Sequence, residues 1–82
     1  MLTLAQIQRV ETHISYSMQV CVNQKDLEET RERLLQDVRS LLYCGLIYNA
    51  DLKLFESYID MWYDRVEYAF EDQQKERENI EN

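Results

Sequence analysis

Residues 52–70 read LKLFESYIDMWYDRVEYAF. Leu52, Phe55, Ile59, Trp62, Val66 and Ala69 recur in this stretch at steps of three and four, the spacing of residues along one face of an α-helix. Tyr63 and Phe70 widen the face, and Phe55, Trp62, Val66 and Phe70 read as core. Upstream, Asn49 is a cap-forming residue in the break Ile47-Tyr48-Asn49. Downstream, residues 71–82 are polar and charged apart from Ile80. The pattern predicts a long third helix over about 50–72, followed by a fraying charged tail over 73–82.

Two shorter runs upstream repeat the same period. Thr3-Leu4-Ala5-Gln6 has the form of a capping box, with Thr3 as cap and Gln6 three residues on. Leu4, Ile7, Val10, Ile14, Met18 and Cys21 then fall on one face, broadened by Val20 and Val22, which predicts a first helix over about 4–22. Asp26 and Glu29 have the spacing of a second capping box. Leu27, Leu34, Leu35, Val38, Leu41 and Leu42 follow on one side of a helix predicted over about 27–44. Glu28, Glu32, Arg33, Gln36 and Arg39 lie on its other side. Gly45 is the only glycine of the chain. It stands where a helix ends in a left-handed residue, with Leu46 as the apolar contact after it.

Composition agrees with an all-α protein. There is no proline, so the turn chemistry that hairpins require is missing. Hydrophobic residues make up 45% of the 82 residues, too many for a disordered chain and enough for one small domain. Short breaks make successive helices antiparallel. The expected architecture is a three-helix antiparallel bundle, or a helical hairpin with a third helix laid on it, as a single domain over 1–72. In that topology Cys21 and Cys44 lie at opposite ends of the second helix, about 25 Å apart. A disulfide needs Cα atoms within about 7 Å. The two are expected to be small buried hydrophobes rather than a bridge.

The formal net charge of −7 argues against direct binding of nucleic acid or of an anionic membrane surface. No apolar run approaches the length of a membrane span. Met1-Leu2-Thr3-Leu4 has no basic region followed by an apolar stretch, so the cytoplasm is the expected location. Catalytic chemistry is not expected. His13 is the only histidine, and Arg9 and Ser17, at four-residue spacing, give it no acid–base partner. No glycine-rich loop exists to cradle phosphate, so no cofactor is expected. The carboxylate pairs Glu28/Glu32 and Asp60/Asp64 lack the added histidines and the several helices that metal sites draw on, so no metal is expected either.

Two features of the third helix remain. Residues 1–45 carry five basic and six acidic side chains, whereas residues 46–82 carry four and ten. At 100° per residue, Glu56, Asp60, Asp64, Glu67, Glu71 and Glu78 fall within an arc of about 80°. Like charges at i,i+4 repel by a few tenths of a kcal/mol each, and little basic residue is interleaved to relieve them. A solvated outer face is the plain reading. The functional reading is a ridge of carboxylates about 6 Å apart that imitates a line of phosphates. The second feature is a stripe of Leu54, Tyr58, Met61, Arg65 and Tyr68, about 120° from the core seam. It reads either as more core or as a contact surface, because Tyr, Met and Arg are enriched at interfaces.

The expected function is that of a small acidic binding protein that inhibits or regulates a nucleic-acid-handling protein by occupying its basic groove. In size and charge, though through no motif, the chain resembles the small inhibitory proteins that phages and mobile elements encode against host nucleic-acid machinery. It is similar in outline to short helical chaperones and subunits of secretion systems. The alternative is therefore a structural or chaperone-like helical subunit that forms a homodimer or completes a bundle with another protein.

Overall fold

The computed structural model describes the backbone of residues 2–81 and the side chains of residues 2–75. Three helices follow one another: α1 over Leu4–Gln19, α2 over Gln24–Tyr43 and α3 over Asn49–Glu81. The all-α bundle is as expected, and α3 packs against both other helices while α1 and α2 touch more sparingly. A 33-residue helix is about 50 Å long. It sets the long dimension of the molecule, whose extents are 54 × 21 × 17 Å.

The first cap forms as its residues imply. The Thr3 hydroxyl accepts from the Gln6 N–H at 3.1 Å, and the Gln6 side chain accepts from the Thr3 N–H at 2.8 Å. The other ends shift by a few residues. Helix α1 stops at Gln19 rather than 22, the Cys21 N–H closing a tight last turn on Met18. This leaves Val20 and Val22 exposed. The early stop frees Asn23 to cap α2: its side-chain oxygen accepts from the Asp26 N–H at 2.8 Å. The Asp26/Glu29 box is therefore not formed. Asp26 sits in the first turn instead, where its charge favours the helix dipole. Leu4, placed on the apolar face by its spacing, is exposed at the very start of α1.

At the far end of α2, Gly45 adopts φ +75°. Its N–H reaches the Leu42 carbonyl and the Leu46 N–H reaches that of Leu41, both at 3.0 Å. That pair of bonds is the Schellman closure. Leu46 is not the apolar contact expected there; it stays exposed, and Ile47 enters the core in its place. Asn49 is the first residue of α3 rather than its cap. The preceding N–H, on Tyr48, is taken by the Asp51 carboxylate at 3.0 Å. Helix α3 then runs past 72 to Glu81, so the expected fraying tail is helical. Residues 71–81 are Glu, Asp, Gln, Lys, Arg, Asn and Ile with no Gly or Pro to stop them, and Glu71 precedes Lys75 at the favourable four-residue spacing.

The core is built from Ile14 and Met18 of α1, Leu27, Leu34, Leu35 and Val38 of α2, Ile47 of the connection, and Phe55 and Ile59 of α3. The apolar seam of α3 is fully covered only at Phe55 and Ile59, and Leu52 before them is half-buried. Trp62, Val66 and Phe70 are half-buried and Ala69 is exposed. The α1–α2 connection lies at the level of Phe70, which faces Val22, Asn23 and Gln24, and Gln19 at the end of α1 stands beside Trp62 and Val66. Both cysteines are free. Cys21 is half-buried, its thiol 3.3 Å from the Thr30 hydroxyl, whereas Cys44, expected to be buried, is exposed in the C-cap of α2.

Candidate protein-binding surface

The outer side of α3 divides into two flanks. The acidic positions lie toward α2. Arg31 of α2 reaches Asp60 at 3.4 Å and Arg39 reaches Glu56 at 3.5 Å. Gln24, in the first turn of α2, donates to Glu67 at 2.8 Å and to the Tyr63 hydroxyl at 3.0 Å. The ridge is therefore not an unrelieved row of like charges. Three of its members are tied to α2, an arrangement across helices that spacing along α3 cannot reveal. Asp64 and Glu71 are exposed and enter neither ion pair. The side chain of Glu78 lies outside the described residues.

Negative charge also reaches across to α2. The Tyr63 hydroxyl is held above its ordinary pKa of 10.0, first by burial, then by its hydrogen bond to Glu67, and further by the charges of Glu67 and Glu28; the Gln24 bond opposes this. Gln24 donates to both Glu28 of α2, at 3.4 Å, and Glu67 of α3, at 2.8 Å, so the acidic surface includes a carboxylate from each helix. Arg31 stands inside it, stacked over the Tyr63 ring at 4.7 Å.

The other flank lies toward α1. Leu54, Tyr58 and Met61 are half-buried, and Arg65 and Tyr68 are exposed, Tyr68 by 69%. Tyr58 joins the edge of the core. Arg65 lies over the Trp62 ring at 5.0 Å. Between them, Gln19 of α1, Phe70 and Gln73 lies a shallow depression of about 350 Å³. The Trp62 indole N–H is shielded from solvent yet has no hydrogen-bond partner among the described residues.

Two further features escaped sequence reasoning. Tyr43, Leu46 and Tyr48 are exposed by 88%, 65% and 63% around the Gly45 turn, so one end of the bundle is apolar. The signal was present in Tyr43-Cys44-Gly45-Leu46-Ile47-Tyr48, a break with almost no polar residue. A concavity of about 710 Å³ also opens between α1 and α2, where His13, Tyr16 and Val20 face Asp26, Glu29 and Arg33. Its charges are of both signs. Among the described residues no group of His, Cys, Asp and Glu is arranged to hold a metal ion, and no helix is long and apolar enough to cross a membrane. Comparison with known families, characterised proteins and solved structures yields no match.

Proposed function

We propose that this chain acts by binding another protein, and that its acidic α2–α3 flank occupies the basic groove of a nucleic-acid-handling protein, inhibiting or regulating it. One observation carries the reading. After Arg31 and Arg39 have paired with Asp60 and Glu56, the flank still presents Asp64, Glu67, Glu71 and Glu28. Stability alone does not call for this excess, since like charges one turn apart repel. Complementary potentials steer encounter and fix register between proteins.

The structure sharpens the choice of test residues. Asp60 and Glu67 hold α2, so changing them confounds binding with folding. Asp64→Lys with Glu71→Lys alters the surface alone. The protein is used to capture partners from nuclease-treated lysate of its native host, with a salt step. A basic nucleic-acid-binding protein is expected to bind, to be released as salt screens surface charge, and to lose at least tenfold in affinity to the double variant. Undiminished binding by a variant with an unchanged helical circular-dichroism spectrum would overturn the proposal.

A further inference from the structure

Leu54, Tyr58, Met61, Arg65 and Tyr68 advance by four, three, four and three residues. Asp51 before them and Asp72 and Lys75 after them continue the same steps. That is the four–three spacing of a coiled-coil seam, apolar or aromatic at Leu54, Tyr58, Met61 and Tyr68 and charged at Asp51, Arg65, Asp72 and Lys75. It is distinct from the Phe55–Ile59 seam that faces α1 and α2, and it has no complete cover within the chain. Leu54 and Met61 are half-buried without joining the core.

We infer that this seam is a homodimer interface in which α3 packs antiparallel against α3 of a second copy. Charge selects both the occupant and the direction. In an antiparallel pair each position of one heptad class faces the other class. Asp51 then meets the partner's Lys75, Tyr58 meets the partner's Tyr68, and Met61 meets the partner's Arg65. Two-fold symmetry makes each contact twice, as an isologous interface requires. A parallel pair in register would set Asp51, Arg65, Asp72 and Lys75 each against its own like charge. Leu54 facing the partner's Asp72 is the poorest layer, while Met61 lies along the aliphatic stem of the partner's Arg65. The neighbourhood also fits a second helix: among the described residues the Trp62 N–H, beside Arg65 at the margin of the seam, has no acceptor, and a second chain can supply one. The seam is centred about 120° around α3 from the acidic flank. A dimer therefore leaves that flank open, and this inference stands or falls separately from the proposed function.

Sedimentation equilibrium of the full chain tests it, up to about millimolar concentration and at low and high salt. A dimer is expected, and it should tighten with salt, because two chains of net charge −7 must approach. Binding through the acidic flank responds to salt in the opposite sense. Arg65→Glu and Tyr68→Glu change exposed side chains and are expected to weaken the dimer at least tenfold with unchanged far-ultraviolet circular dichroism. In a Cys44→Ser background, Tyr58→Cys with Tyr68→Cys should give disulfide-linked dimers under oxidised glutathione, while Tyr68→Cys alone should not. A monomer throughout, a dimer indifferent to both Glu variants, or efficient linking by Tyr68→Cys alone would overturn the inference.

Discussion

Tyr63 shows how one residue ties two helices together. Its ring lies under Arg31 and its hydroxyl stands between Gln24 and Glu67. Because burial and the neighbouring carboxylates raise its pKa, the folded protein keeps this proton at a pH where the unfolded chain has begun to lose it. Below the ordinary value of 10.0 both states are protonated and stability does not depend on this group. Above it the native state binds more protons, so stability falls as pH rises toward the raised value. Tyr63→Phe should remove that part of the alkaline loss, giving a flatter melting temperature as pH rises above 10.0. An equally steep decline in the variant would show that the hydroxyl is not the group responsible. Residue-scale reasoning from sequence reached the Thr3–Gln6 box and the left-handed Gly45, because each depends on neighbours within a few positions. It misplaced the α2 cap because Asn23 and Asp26 are both competent caps three residues apart. Where the first helix stops decides between them, and that is a matter of packing.

Helix α3 is the element on which the others are assembled, and its two halves carry unequal weight. Phe55 and Ile59 are wholly enclosed, whereas Phe70 is half-buried at the edge of the core, beside the α1–α2 connection. Phe55→Ala should cost about 3–5 kcal/mol, most or all of the stability of a domain this small. Phe70→Ala should cost about 1 kcal/mol, in proportion to its partial burial. Denaturant titration checks both, and equal costs would mean that the second half of the seam is enclosed as well. The steps of three and four along 52–70 made the core face legible. They could not reveal how far the cover extends, since that depends on how closely α1 and α2 pack along α3. The same limit applies to the candidate surface. The acidic arc and the aromatic stripe were both readable along one helix. The ties from Asp60 to Arg31 and from Glu56 to Arg39 join positions 29 and 17 residues apart, and only the helix register brings them together.

For the molecule as a whole, charge works against compactness. A net −7 on 82 residues is offset, among the described residues, by two ion pairs, both at the surface and at 3.4 and 3.5 Å. Such pairs contribute about 0–1 kcal/mol each, while self-repulsion acts over the whole acidic half. Raising the salt concentration should therefore raise the melting temperature of dilute protein. A fall would mean that the Arg31 and Arg39 pairs outweigh the repulsion.

The chain has a single tryptophan, and it lies on the α1 side of α3, its ring beneath Arg65 and its edge beside the depression lined by Gln19 and Phe70. The protein is thus its own fluorophore, placed beside one flank and away from the other. A helix laid over the aromatic seam shields this indole, moves its emission to shorter wavelength and protects it from acrylamide. A groove closed on the acidic flank leaves its spectrum as it was. One optical titration can therefore report which side of α3 has been covered, without a label and before the occupant is known.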